Sequence, residues 1–207
     1  MKKFITYVPL QPKERMTPVL YAAEGNARLD AGFPVHFPVT AMVNGYAEAG
    51  DAIELIAMVE EDNGDAEYNF DLMRRELQEL AEKKGFSCSV TRLAVSRRET
   101  IEEQLSTFSR LSALLGDDDI VHACITFGTK TIPLIEFMAL DFAYKTRKNF
   151  TIACLAYGKV NWVGGRMTDM RIYDVTALFS MHTLCGELAA AKVSDPSAMI
   201  ARILRLE

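Results

Sequence analysis

Strand-length apolar runs that alternate with helical segments constrain this chain more than any other feature. Lys3–Pro9, Ala52–Val59 (AIELIAMV), Asp119–Phe127 (DIVHACITF) and Phe150–Tyr157 (FTIACLAY) are rich in β-formers and show little polar/apolar alternation. Such runs are expected where both faces of a parallel sheet are covered. Ser87–Val95 adds a further strand and Met170–Val175 a short sixth. Between them the spacing predicts helices over Pro38–Ala49, Asn69–Lys84, Thr100–Leu115 and Thr129–Arg147. Phe70, Met73, Leu77 and Leu80 share one helix face, and Gly85 follows at the left-handed stop position. Thr100 and Glu103 form a capping box. Leu178–Lys192 and Ser197–Leu206 read as helices joined through Asp195-Pro196. Repeated βαβ units give a parallel sheet with right-handed crossovers. Met16–Ala22 and Phe33–Phe37 read as the arms of a hairpin inserted after the first strand. The expected fold is therefore α/β: a Rossmann-like, mostly parallel sheet with helices on both faces, an N-terminal β-hairpin insertion and a short C-terminal helical appendage. Residues 1–192 make one domain. Residues 193–207 make an appendage or the start of an effector region, with Val193–Pro196 as the junction.

Charge and cysteine usage narrow the classes of function. A net charge of -5 excludes a global electrostatic footprint for duplex DNA but leaves room for a local basic pocket. Cys88, Cys124, Cys154 and Cys185 are far apart with no CxxC, as expected for buried free thiols of a reducing, cytoplasmic compartment. MKKFITYVPL begins like a signal peptide, but Pro9 and Pro12 interrupt its apolar run, so it reads as a strand. No run of about 18 apolar residues predicts a transmembrane helix.

In an open α/β sheet, ligands bind outside the carboxyl ends of the strands. That rule selects three loops: Pro9–Glu14, Phe127–Thr131 and Tyr157–Gly165. The second, FGTKT, is the most informative. Gly128 permits a tight turn and close backbone approach. Thr129 and Thr131 are placed to cap the following helix, whose N-terminus offers free N–H groups and a positive dipole end, and Lys130 adds a full charge. The segment suits a phosphate. It is neither a Walker A motif nor a GxGxxG fingerprint, which disfavours dinucleotides. Other polar residues read as structural. His36, His122 and His182 have no carboxylate or cysteine at ligand spacing, so no metal is expected. His122 reads as a satisfied, partly buried strand residue. Ser106 and Ser109 lack a nucleophile elbow. Asp117–Asp119 and Arg97-Arg98 read as solvated turns, and the methionines and phenylalanines at helical spacing as core.

With these elements in place, the stretch Asp119–Leu178 resembles the C-terminal half of the CARF (CRISPR-associated Rossmann fold) domain. The likeness rests on ITFGTKT, the helix IPLIEFMALDFAY, the strand ending LAYG, and IYDVTALFSM. FITYVPL, the Tyr21 hairpin and PVTAMVNGYAEAGDAIELIAMVEED resemble its N-terminal half. The resemblance implies a homodimer whose first-strand loops (Pro9, Leu10, Gln11, Lys13), GTK loops (Thr126, Phe127, Gly128, Thr129, Lys130, Thr131) and Tyr157 form one symmetric pocket. The implied ligand is a cyclic oligoadenylate, a tetra- or hexa-adenylate of type III CRISPR antiviral signalling, with no cofactor. The leading expectation is a sensor without chemistry of its own. The alternative is a metal-independent ring nuclease that cleaves the bound ring, with Lys130 as its catalytic candidate. A metabolite-binding or transcription-regulating α/β domain is a third reading. CARF proteins commonly carry an effector such as a HEPN ribonuclease, but no RxxxxH occurs here. The expectation is a stand-alone protein, or the sensor part of a longer one in which Leu206-Glu207 is a cloning remnant.

Overall fold

Strand β1 (Lys2–Tyr7) is buried on both faces and hydrogen-bonded along both edges, so it fixes the centre of the sheet. A computed structural model describes residues 1–164 and 166–204, with backbone only for Trp162 and Arg166. Gly165, Leu206 and Glu207 lie outside the described residues. β3 (Ala52–Glu60) pairs parallel to β1 on one side and β5 (Ile120–Cys124) on the other. β4 (Ser87–Val95) extends the sheet beyond β3, and β6 (Thr151–Val163) beyond β5. These five strands stand in the order 3-2-1-4-5 of a Rossmann-like fold, with the switch point between β1 and β5. β7 (Arg166–Asp174) then pairs antiparallel to β6, and β2 (Ala22–Glu24) closes the far edge parallel to β7.

Helices cover both faces. α1 (Pro38–Tyr46) and α2 (Gly64–Lys84) bury Met42, Val43, Met73 and Leu77 against Phe4, Leu55 and Ala57. α3 (Ile101–Ala113) and α4 (Thr131–Thr146) form the layer on the other face, which carries Ile5, Ile56 and Ala123. α2 starts at Asn63, whose side chain accepts from the Asp65 and Ala66 amides, several residues before Asn69. It ends at Gly85, with φ 76°. Thr100 caps α3 through the Glu103 amide. No helix among the described residues is long and apolar enough to cross a membrane.

The structure corrects several expectations. The hairpin reduces to one antiparallel bridge, Val19↔Val35, because β2 finds a better ladder on β7. The fifth run does not end at Tyr157. It continues to Val163 and turns at Gly164 into β7, so Tyr157 lies inside a strand. Asp119 is not a solvated turn residue: it is buried, 3.0 Å from Lys3 Nζ and bonded to the Gly116 amide. Cys185 is exposed, while Cys124 and Cys154 are buried. Met138 and Phe142 are exposed instead of core. As a separate observation, the chain divides by internal packing into Met1–Asp174 and the segment from Val175. That second unit holds α5 (Thr176–Ala190) and α6 (Pro196–Leu204), the latter capped by Asp195 accepting from the Ala198 amide at 2.9 Å.

Two buried ionisable groups set a pH response. Neither carboxyl oxygen of Glu136 in α4 has a hydrogen-bond partner among the described residues, and burial pushes its carboxyl up to about 8. His122 is fully buried, not partly, stacked on Phe4 and close to Tyr46, and burial pushes it down to about 4. Above pH 6.5 an unfolded Glu136 is ionised, whereas the native group keeps its proton until about pH 8. The native state then binds the extra proton, so stability falls as pH rises through this window. His122 acts oppositely: its contribution is present above 6.5 and is lost as pH falls towards 4. Urea denaturation at pH 6.5 and 8 is expected to show wild-type stability falling with pH, and the loss vanishing in Glu136→Gln. Equal slopes in the two proteins would show that this carboxyl is solvated.

Candidate functional site

The switch point brings two of the expected loops together. After β1 the chain leaves through Pro9, Leu10 and Gln11, and their course is fixed from below by a residue of α2. Asn69 is fully buried, and its side-chain amide donates to the Pro9 and Gln11 carbonyls, both at 2.8 Å. The Leu10 side chain packs against the core, Gln11 is exposed, and Lys13 lies in a short 3-10 turn, Lys13–Arg15. Nothing in the sequence marks Asn69 as a loop anchor, because its partners are backbone atoms of another segment.

The second loop, Phe127–Thr131, leaves β5 toward α4. Gly128 has φ 107°, and a Cβ there would sit 2.9 Å from Ile132 Cβ, so the turn excludes a side chain. The expected threonine caps do not form. Lys130 occupies the N-cap position without a side-chain cap, and the Thr129 and Thr131 hydroxyls lie 3.2 Å from each other. The helix instead begins with the Ile132 amide on the Thr129 carbonyl at 3.0 Å. The amides of Gly128, Thr129 and Lys130 therefore meet no acceptor among the described residues. Lys130 is exposed and has no ion-pair partner there. Unpaired amides, a helix start and a free cation are the groups that attract an anion.

Thr126 serves the fold. Its hydroxyl accepts from the Gly158 amide at 2.8 Å and lies 3.1 Å from Cys124 Sγ. Gly158 has no room for a side chain, since a Cβ would stand 2.5 Å from Pro38 Cγ. Tyr157 alternates with Ala156 and Gly158 onto the other sheet face and stacks on Tyr173.

The loop Phe127–Thr131 separates two small clefts. One, of about 50 Å³, is lined by Gln11, Arg15, Tyr21, His36, Phe127 and Val160. The other, of about 20 Å³, includes Tyr7, Glu60, Arg97, Arg98, Thr129 and Thr131. In the second, Glu60 is buried and accepts from the Tyr7 hydroxyl at 3.3 Å and Asn63 at 2.9 Å, with Arg97 Nε at 3.3 Å. Arg97 is thus paired, not merely solvated. Burial first, and then the Glu60 charge, push the Tyr7 phenol far up, so it stays a proton donor. In the first cleft, His36 is held by Glu76 of α2, a carboxylate invisible to local spacing. No cluster of three or more metal-ligating side chains occurs among the described residues. No protein-family model matches the chain, and no curated protein matches it.

Replacing Asn69 tests the anchoring of the first loop. Asn69→Ala removes two donors and leaves buried carbonyls unpaired, at an expected cost of about 1–3 kcal/mol. It is also expected to open the peptide bonds around Lys13–Arg15 to trypsin in the native protein. Unchanged stability and unchanged cleavage would show that the loop is held by other contacts.

Proposed function

We propose that this chain is a CARF-type sensor of type III CRISPR signalling that binds a cyclic oligoadenylate as a homodimer. The observation that carries the reading is the start of α4. The unpaired amides of Gly128, Thr129 and Lys130, with the free Lys130 ammonium, form an anion site at the switch point, beside the cleft that Gln11 and Phe127 share. Lys13 and Arg15 add two cations without ion-pair partners among the described residues. A cyclic polyphosphate with a two-fold axis suits two such sites related by symmetry.

Size supports a shared pocket. Clefts of about 50 and 20 Å³ are far below the roughly 300–1,000 Å³ that enclose a small-molecule ligand. A nucleotide ring therefore needs a second wall. α3 and α4 carry an apolar stripe that suits a partner copy. Leu134, Met138 and Phe142 follow one another at four-residue spacing and are 65%, 56% and 41% exposed. Ile101 and Leu105 are exposed on α3, and Phe108 packs edge-on against Phe142. Contiguous exposed apolar side chains of this kind mark interaction surfaces.

Two measurements test the reading. Cyclic tetra- or hexa-adenylate is expected to raise the melting temperature, and NAD and ATP to leave it unchanged, since a ligand that binds only the native state stabilises it by mass action. Lys130→Ala removes one charge-assisted contact per protomer, each worth about 1.5–3 kcal/mol. By isothermal titration the shared ligand is then expected to bind on the order of 100-fold more weakly, with folding unaffected. Undiminished affinity removes the GTK loop from the pocket. Met138→Glu is expected to turn a dimer into a monomer by light scattering, and a wild-type monomer at tens of micromolar, on the order of ordinary dimer constants, argues against the shared pocket.

A further inference from the structure

The two edges of the sheet are unlike. β2 closes one with three residues, whereas β4 leaves the other with nine, Ser87–Val95. Exposed edges are normally blunted by short strands, bulges, lysine or proline, because unpaired backbone groups invite another strand. β4 has none of these. Its register with β3 runs unbroken from Ala52↔Ser87 to Glu60↔Val95, and it holds no lysine or proline. The Ser87 amide donates to the Asp51 carbonyl and the Val95 carbonyl accepts from the Glu61 amide, so every second residue from Ser87 to Val95 faces β3. The N–H and C=O groups of Cys88, Val90, Arg92 and Ala94 therefore point outward, and they meet no partner among the described residues. The side chains of Cys88, Val90 and Arg92 border a groove of about 790 Å³ between β4 and α2, floored by Phe70, Leu77 and Phe86. Arg74 and Arg92 both lie over the Phe70 ring, each 5.7 Å from its centroid. Arg92 also forks onto Glu67 of α2, which holds it back from the open edge. Arg75, in the same lining, has no ion-pair partner among the described residues.

We propose that the β4 edge takes an extended peptide of a partner protein as an added strand, with apolar side chains in the groove and an acidic one on the arginines. The outward backbone groups supply the hydrogen bonds. Alternate side chains of an added strand point to one face, so every second peptide residue enters the groove. Its volume lies within the roughly 300–1,000 Å³ that hold a bound ligand. Guanidinium forks match carboxylates, and the lining sets Arg74, Arg75 and Arg92 against Asp71 and Glu82, in a chain whose net charge is -5. A second copy of the chain suits this edge poorly. Antiparallel pairing of two β4 strands along their whole length is centred on Thr91, which sets the arginines of both copies on either side of the axis, like charges together. The edge stands two strands from the β1–β5 seam, so this surface is separate from the anion site and independent of its ligand.

The probe is a library of random peptides displayed on phage, matched in length to the nine residues of β4 and selected against the whole chain. Enriched peptides are expected to place apolar residues at alternate positions, to carry Asp or Glu, and to lack proline. One of them is then synthesised and titrated by fluorescence polarisation. An added strand bonds to the edge through every second residue. N-methylation of one alternate set of peptide amides is therefore expected to weaken binding about 10-fold or more, and of the other set to leave it unchanged. Val90→Pro removes one outward donor without touching the β3 ladder, and is expected to abolish binding. Should Val90→Pro fail to fold, Arg75→Glu at an exposed position of α2 is expected to weaken binding on the order of 10-fold. Both variants are expected to keep the wild-type oligomeric state by light scattering. A library that yields no binder, or a binder indifferent to Arg75→Glu and to both N-methylations, overturns the proposal. So does an oligomer that Val90→Pro dissociates, which assigns the edge to a second copy of the chain.

Discussion

Everything in the first unit depends on the burial of β1. Phe4 and Val8 face one layer of helices and Ile5 and Tyr7 the other, while β3 and β5 take up the hydrogen bonds along both edges. Because the chain runs outward from β1 to β3 and β4, and later from β5 to β6, the connections diverge and leave a crevice above the β1–β5 seam. The segment after Val8 and the segment after Cys124 must meet there. At the opposite end of β1, Lys3 is buried with Asp119 at 3.0 Å and Glu54 at 3.4 Å, and donates to the Leu114 carbonyl at 2.5 Å. A buried cation of this kind tolerates no register slip, because a shifted strand would leave it unpaired.

The layers of this fold were legible in the sequence because its signals are local. AIELIAMV reads as a doubly covered strand whatever surrounds it, and Ser87–Val95 is a strand from end to end. Gly85 terminates α2 through its own backbone freedom, and Thr100 caps α3 through a residue three positions on. What local reading missed depends on distant partners. The edge pairing of Ala22–Glu24 with Arg171–Tyr173 outcompetes a hairpin that the intervening turn residues suggest. Asp119 reads as a turn residue until Lys3 is placed beside it. In the candidate site, the GTK turn was visible as a strand–glycine–helix junction. Its two supports, Asn69 beneath the first loop and Glu76 behind His36, both come from the middle of α2, where they look like ordinary polar positions of an amphipathic helix.

α2 thus carries two kinds of residue on its inner side. Met73 and Leu77 fill the core, and Asn69 and Glu76 are each hydrogen-bonded to the chain that crosses above the sheet. The same helix therefore sets the position of both walls of one cleft, and the cleft's geometry is tied to the packing of the domain instead of to loop conformation alone.

The pairing of β2 with β7 carries a consequence for how the chain matures as it is synthesised. Residues 8–37 cross from the central strand to the far edge and back, yet among the described residues the ladder that holds their outer end is made by Arg171–Tyr173. Domains form from the N-terminus as the ribosome delivers them, so the β1–β3–β4 half can assemble while the crossing segment still lacks its edge. Ala22–Glu24, at the outer end of that segment, take their final places only after β7 has emerged. The outer end of the earliest-translated crossing segment is thus locked only once β7, the second arm of the β6–β7 hairpin, has been made.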